Sequence, residues 1–231
     1  MISARVDWSL ERNDRLVRFA SLHGVDAYGA SGGAATTAHS QPAWKLALPV
    51  GGVLTFDGHE VPGVLVPPQV RHTCTASEGF VAVLLNPWLL PRSEDPRPLD
   101  TLSAARLLDA LGSEWDLTAV HDELTATIGS PPALDPRLRH AVTHCATATD
   151  LSALATDAGL SPPRLRTLAR TSLGIPLHRV RQWHRLRAAL ASAPHHTPAE
   201  AAYLGDFADQ AHFTRTARAL LGRTPADLRG R

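Results

Sequence analysis

The sequence has few cysteines and no long apolar segments. Its two cysteines, Cys74 and Cys145, stand far apart, so neither a disulfide framework nor a cysteine-rich zinc site is expected. No apolar run is long enough to cross a bilayer, and the opening segment MISARVDWSLERNDR lacks the pattern of a signal peptide. We therefore expect a cytoplasmic protein that has no membrane partner.

Lysine is nearly absent as well, because Lys45 is the single lysine of the chain. The net charge of +1 conceals a strong asymmetry. Residues 135–231 hold 14 arginines and 7 acidic residues, a charge of +7, whereas the rest holds 9 basic and 15 acidic residues, a charge of −6. This division is typical of a neutral or acidic domain joined to one that binds a polyanion such as DNA.

Residues 1–90 predict antiparallel β structure. Short apolar segments are separated by Gly, Pro, Asn and Asp, as in a sandwich or barrel. Asp57-Gly58 is typical of a tight hairpin turn, whereas the small residues of the segment 29–38 show no strand character. The expected strands are RLVRFA, VDAYGA, WKLALPV, VLTFDG, GVLVPP and FVAVLLN.

Two amphipathic helices are expected after a Pro-rich linker at 91–98, and a second linker follows at 129–135. Such helices can mediate dimerisation or can pack on their own β domain, and the sequence favours neither. The expected apolar positions are Leu102, Ala105, Leu108 and Leu111 in the first helix, and Trp115, Leu117, Val120, Leu124 and Ile128 in the second.

The segment DLSALATDAGLSPPRLRTLARTSLG predicts a first helix-turn-helix unit. Gly159 allows the turn, Ser161 supplies an N-cap oxygen, and Pro162 suits the first helical position. A helix with a basic outer face after a tight turn is the geometry that enters a DNA major groove. Its outward residues are expected to be Arg164, Arg166, Thr167 and Arg170.

The same pattern returns in TPAEAAYLGDFADQAHFTRTARALLG, after a helix expected from about Pro176 to Ser192. Thr197, Pro198 and Glu200 form a capping box, Gly205 ends the helix, and Asp209 is the next N-cap. The outward residues of the second recognition helix are expected to be Gln210, His212, Arg215 and Arg218. A helical bundle that binds no nucleic acid is the competing interpretation, and two matched units argue against it.

This C-terminal third resembles the AraC/XylS family of bacterial transcription regulators. The resemblance rests on AGLSPPRLRTLAR, GIPLHRVRQWHRLRAAL and LGDFADQAHFTRTARALLGRTPADLR. It implies that bases are contacted by Pro163, Arg166 and Thr167, and by Gln210, Ala211, His212 and Arg215. The chain departs from the family in three places: Ala169 and Ala217 replace aromatic residues, and Asp206 replaces a glycine.

The N-terminal part resembles the cupin-like sensor domain of many such regulators, through His39, DGHEVPGVLVPPQVRH and GFVAVLLNP. Metal-binding cupins have a His-x-His pair, but here the sequence runs His39-Ser40-Gln41. We therefore expect no metal and no cofactor. A pocket for a small molecule is expected instead, lined by His39, Trp44, Phe56 and His72.

These patterns predict an α+β protein with a cupin-like sensor domain at 1–98, linker helices at 99–129 and a double helix-turn-helix domain at 130–231. The expected function is a ligand-controlled DNA-binding transcription regulator, not an enzyme. Its expected partners are double-stranded DNA, a small-molecule effector, RNA polymerase and a second copy of the chain. The alternatives are a cupin enzyme with a helical tail, and a DNA-binding protein whose barrel only oligomerises. Activator and repressor remain equally open.

Overall fold

The computed structural model describes residues 5–12, 15–148 and 150–228. Among these residues, the N-terminal half, up to Ile128, contains strands and two helices, and the C-terminal half, from Pro136, contains helices alone. The strands are β1 (Val6–Arg12), β2 (Arg15–Leu22), β3 (Val25–Ala30), β4 (Ala34–Ala35), β5 (Trp44–Val50), β6 (Leu54–Phe56), β7 (His59–Val61), β8 (Val64–Val66), β9 (Cys74–Ala76), β10 (Gly79–Leu85) and β11 (Arg97–Pro98). The helices are α1 (Thr101–Leu111), α2 (Leu117–Ile128), α3 (Pro136–His144), α4 (Leu151–Asp157), α5 (Pro162–Leu173), α6 (Leu177–Ser192), α7 (Pro198–Leu204), α8 (Gln210–Leu221) and α9 (Pro225–Leu228).

The strands form two antiparallel sheets. One has seven strands in the order β1-β2-β3-β10-β5-β8-β11, and the other has four in the order β4-β9-β6-β7. Within the described ranges no strand of one sheet pairs with a strand of the other, so the α+β class is confirmed with a sandwich in place of a closed barrel. The hairpin between β6 and β7 is confirmed too: Phe56 pairs with His59, and Asp57 and Gly58 have φ of 44° and 86°.

Both faces of the seven-stranded sheet are covered, and residues alternate between them. Trp44, Leu46 and Leu48 of β5 pack with α1 and α2 in one apolar cluster. Ala47 of the same strand faces the smaller sheet and packs with Leu54, Cys74 and Ala76. The helices α1 and α2 therefore cover one side of the sheet, and the interior of the sandwich lies on the other.

Three expectations for this half are corrected. The small-residue segment contains the two-residue strand β4, which pairs with β9, and β1 adds a strand that the pattern did not indicate. In α1 the buried residues are Ala104, Leu107 and Leu111. Leu102 is 70% exposed, because the face that meets the sheet is rotated from the predicted stripe.

The caps predicted in the C-terminal half are confirmed. Ser161 accepts a hydrogen bond from the backbone of Arg164 at the start of α5, and Thr197 and Glu200 form the capping box of α7. Asp209 caps α8 through the backbone N–H of His212. These bonds satisfy N–H groups that have no partner inside the helix, and they fix where each helix starts.

The helix α6 belongs to both helix-turn-helix units. Leu177 and Val180, near its start, pack with α3, α4 and α5. Trp183, Leu186 and Ala189, further along, pack with α7 and α8. Trp183 is 1% exposed and Leu186 is fully buried, so one helix supplies side chains to the cores of both units.

The turn between α7 and α8 requires a positive φ at Asp206. Asp206, where the family has glycine, adopts φ of 56°, a conformation that costs a residue with a Cβ free energy. The preceding Gly205 has φ of −84° and is needed for another reason. A Cβ there would lie 2.8 Å from the Ala189 Cβ and from the Arg185 carbonyl oxygen of α6.

Candidate functional site

The recognition surface of the first unit is open. In α5 the apolar residues Leu165, Ala169 and Leu173 are buried against the rest of the unit. The opposite face is exposed and carries the residues predicted to contact DNA from this helix: Pro163, Arg164, Arg166, Thr167 and Arg170. Packing of the N-terminal half against the C-terminal half leaves this basic face accessible to DNA.

The recognition helix of the second unit, α8, is similar with one difference. Gln210, Arg215 and Arg218 are exposed, but His212 is half-buried. Its ring lies edge-on against Phe207, with 5.2 Å between ring centroids. His212 therefore contributes to packing as well as to the surface, and the freely exposed candidates for base contact are Gln210 and Arg215.

A pocket lies between the two halves of the protein. Its volume is about 90 Å³, and most of its wall comes from the inner faces of the two sheets. The C-terminal half closes the wall with Leu190 of α6, Ala193, Leu221 of α8, and Arg223. The pocket residues from the N-terminal half are Trp8, Phe19, Tyr28, Ala34, Thr36, His39, Gln41, Lys45, Ala47, Leu54, Cys74, Ala76, Phe80, Ala82 and Leu84.

Lys45 is the most unusual residue in this pocket, because it is only 6% exposed. Its Nζ donates a hydrogen bond to His72 Nε2 at 3.1 Å, and in the described part of the chain no carboxylate forms an ion pair with it. Burial lowers the pKa of Lys45, and the interaction with the Cys74 thiol opposes this shift only in part. Burial makes the charged form of Lys45 costly without a counter-ion, and an anion beside Lys45 would offset that cost.

The two histidines next to Lys45 are neutral. His39 Nδ1 donates to the Thr37 carbonyl at 2.8 Å, and His72 Nδ1 donates to the Val70 carbonyl at 3.0 Å. Burial lowers the pKa of His39 to about 3 and that of His72 to about 4, and Lys45 adds to both shifts. With Nδ1 protonated in each ring, the free Nε2 lone pair of His72 accepts the hydrogen bond from Lys45.

Further polar atoms in the pocket have no hydrogen-bond partner among the described residues. They are Trp8 Nε1, both side-chain polar atoms of Gln41, and Nη1 of Arg223. Arg223 Nη2 donates to the Asp227 carbonyl at 2.8 Å, which holds the guanidinium 5.9 Å from the ring centroids of Tyr28 and Phe80. Buried polar groups without partners inside an apolar cavity are typical of a site that a polar ligand group completes.

The predicted set of pocket residues is therefore corrected. His39 lines the pocket, but Trp44 points to the opposite side of the sheet, as the alternation along β5 requires. His72 and Phe56 form a layer behind the wall, with 5.7 Å between their ring centroids. Sequence reasoning missed Lys45, although a single lysine within an apolar strand was a visible signal.

Among the described residues, no helix is long and apolar enough to cross a membrane. In the same part of the chain, no three His, Cys, Asp or Glu side chains are grouped so that they could hold a metal ion.

Comparisons with known proteins agree with this architecture. A family model described as a helix-turn-helix domain matches residues 154–231. No relative among the curated proteins matches the chain.

Among solved structures, ToxT from Vibrio cholerae matches with a TM-score of 0.57 and 10% identity, over 88% of this chain and 96% of that chain. ToxT of strain SCE256, solved with an unsaturated fatty acid bound, matches with a TM-score of 0.58 and 13% identity, over 88% and 93%. This chain therefore has the fold of ToxT, and its residues 154–231 match a helix-turn-helix domain, in agreement with the two helix-turn-helix units predicted there.

Proposed function

We propose that the protein is a transcription regulator that binds double-stranded DNA through α5 and α8 and responds to an amphipathic anion in the pocket. The observation that carries the DNA-binding part is the pair of exposed, basic recognition helices on one shared helix, α6. The charge of +7 over residues 135–231 supports it, since each phosphate neutralised on binding releases counterions. A DNA-binding regulator acts where the DNA is, which favours the cytoplasm.

Within the recognition helices, we propose separate roles for early and late residues. Arg166 and Arg215 lie in the first half of their helices. We assign base contacts to them, because Arg can bond bidentately to guanine O6 and N7. Arg170 and Arg218 lie about a turn further on and contact phosphate. The remaining proposed contacts are Arg164, Thr167, Gln210 and, through its exposed edge, His212.

The experiment is selection of bound sequences from a random DNA library with the full chain, followed by affinity measurements on the selected site. Arg166→Ala and Arg215→Ala should each cost about 1–3 kcal/mol on that site and remove preference at one base pair. Arg170→Ala and Arg218→Ala are the controls and should weaken binding to every sequence equally. Uniform weakening by the first pair would contradict the assignment, and selection of no sequence would contradict the function.

The proposed ligand has an apolar body and an acidic head group. The cavity wall is mostly apolar, and its basic groups are Lys45 and Nη1 of Arg223. Among the described residues, no carboxylate forms an ion pair with Lys45. The structural relatives point the same way: ToxT has been solved with an unsaturated fatty acid, and also with (E)-4-(8-methylnaphthalen-1-yl)but-3-enoic acid, an apolar carboxylic acid.

The test compares the thermal unfolding of the full chain with a monounsaturated C8 fatty acid, which suits the small cavity, and with the alcohol of the same chain. A ligand that binds only the folded state raises stability by RT ln(1 + [L]/Kd), so the acid should raise Tm more than the alcohol. Lys45→Met should remove most of this difference, and Arg106→Met, which changes an exposed residue of α1, should not. Equal shifts for acid and alcohol would contradict an anionic ligand.

The predicted domain boundaries and partners stay proposals. Packing of α1 and α2 on the sheet of their own chain supports grouping residues 99–129 with the sensor domain at 1–98, followed by the DNA-binding domain at 130–231. Dimerisation through these helices would have to use their outer face, where Leu102 is exposed. RNA polymerase is a further proposed partner.

A further inference from the structure

The helix α6 contacts the N-terminal half through polar side chains spread along its length. Near its start, Arg179 donates to the Ser40 carbonyl at 2.9 Å. In its middle, His184 stacks on Trp88, with 6.3 Å between ring centroids and 18° between ring planes. The helix that joins the two DNA-binding units is therefore also the helix that is docked on the other half of the protein.

A further contact is a buried ion pair between Asp26 of β3 and Arg187 of α6. The Arg187 Nε lies 2.5 Å from Asp26 Oδ2, and the exposed fractions of the two side chains are 15% and 2%. The guanidinium also donates to Asn86 Oδ1 and to Ser21 Oγ, both at 3.3 Å. Among the described residues this is the one ion pair that joins the two halves.

The register of the sheet connects this ion pair to the pocket. Ser21 pairs with Asp26, Asp26 with Leu84, and Leu84 with Lys45, so these four residues form one row across β2, β3, β10 and β5. Leu84 both lines the pocket and packs in the apolar cluster of α6, α7 and α8. Arg187 thus binds one end of a row whose other end is the pocket lysine.

We propose that the Asp26–Arg187 ion pair couples pocket occupancy to the docking of α6, with both residues acting as positioning residues. The inference rests on the proposed ligand-binding function. Part of the pocket wall comes from Leu190, Leu221 and Arg223 of the C-terminal half, so the complete pocket exists only while α6 is docked. Ligand and ion pair stabilise the same arrangement, and by thermodynamic reciprocity each strengthens the other.

Loss of one partner has a large effect because the remaining charge stays buried without a counter-ion unless the halves separate. Asp26→Asn and Arg187→Gln should therefore both favour the undocked arrangement. Their combination should be little worse than either change alone, because the two residues act as one pair. Arg187→Gln keeps the test informative if Asp26→Asn fails to fold, since Arg187 lies on a helix face that water can solvate after undocking.

The first measurement is hydrogen exchange at the Thr37 amide of the full chain without ligand. That N–H donates to the Gly222 carbonyl at 3.0 Å across the two halves, so its exchange reports docking. We expect both single variants to speed its exchange roughly tenfold or more, by the cost of an unpaired buried charge. The matched control is Arg185→Gln, on the same helix, whose ion-pair partner Asp206 lies in the C-terminal half. Unchanged exchange in Arg187→Gln would overturn the proposal whatever the ligand is.

The second measurement is the Kd of the C8 fatty acid for the same proteins. Arg187→Gln should raise it roughly tenfold although Arg187 does not line the pocket, and Arg185→Gln should leave it unchanged. Faster Thr37 exchange with an unchanged Kd would overturn the coupling. If the wild-type chain does not bind the fatty acid, the proposed ligand is wrong, and the exchange measurement still decides whether the ion pair controls docking.

Discussion

A substitution at Gly222 tests whether the end of α8 packs against the N-terminal half. It ends α8 with φ of 69°, in the left-handed region, and its carbonyl accepts hydrogen bonds from the backbone and side chain of Thr37. A Cβ at this position would lie 2.5 Å from the Thr37 carbonyl oxygen and 2.6 Å from His39 Nδ1. Gly222→Ala therefore adds both backbone strain and a clash with the pocket segment.

The chain contains a matched control in Gly174, which ends α5. Its φ is 71°, nearly the same, but the nearest atom to an added Cβ is the flexible Arg92 side chain, 3.2 Å away. The left-handed conformation costs a residue with a Cβ about 1–2 kcal/mol at either site. Overpacking against fixed atoms adds about 1–3 kcal/mol at Gly222 alone. We expect totals of about 2–5 kcal/mol for Gly222→Ala and about 1–2 kcal/mol for Gly174→Ala.

Urea denaturation of the full chain measures both costs, as the shift of the transition midpoint multiplied by the slope. The difference between the two variants isolates the contact of the α8 turn with the N-terminal half. Equal costs, within about 0.5 kcal/mol, would refute the reasoning, because they would show that the turn is not packed on His39 and Thr37 in solution.

Three further predictions concern stability. Asp206→Gly should stabilise the chain by up to about 1 kcal/mol in urea denaturation, since it relieves a positive φ and loses only an exposed ion pair; a loss of stability would refute this. Trp183→Ala should cost about 3–5 kcal/mol, whereas Leu102→Ala, at an exposed position, should stay within about 0.5 kcal/mol. In the unfolded chain, His39 and His72 bind protons below a pH of about 6.5. In the folded chain their pKa values are about 3 and about 4, so both rings stay neutral to a lower pH. The free energy of unfolding should therefore fall as the pH drops from 6.5 towards 4, and replacing both residues by Asn should flatten that fall.

The helices of the C-terminal half could be predicted from the sequence, because local interactions determine where each helix begins and ends. Ser161, Thr197 and Asp209 each cap the helix that follows them, through bonds that span only three residues. Gly174 and Gly222 end their helices in the left-handed conformation that the sequence pattern requires. Short-range rules of this kind need no knowledge of tertiary structure.

The pocket could not be assembled in this way, because its wall joins residues as distant as Lys45 and Arg223. Period-two alternation predicts that Trp44 and Lys45 face opposite sides of β5, but not which side is the cavity, since helices cover one face and a second sheet covers the other. The strand β4 was missed because two alanines have no strand preference of their own, and pairing with β9 alone orders them.

The shared helix α6 also determines how the DNA-binding half unfolds. Leu177 and Val180 belong to the core of one unit, and Trp183 and Leu186 belong to the core of the other, within a single continuous run of backbone hydrogen bonds. Melting of either unit removes one end of this helix from its apolar surroundings and exposes side chains next to the other core. The two units should consequently lose structure in one cooperative transition rather than two, and their amides should show a common opening free energy in native-state exchange.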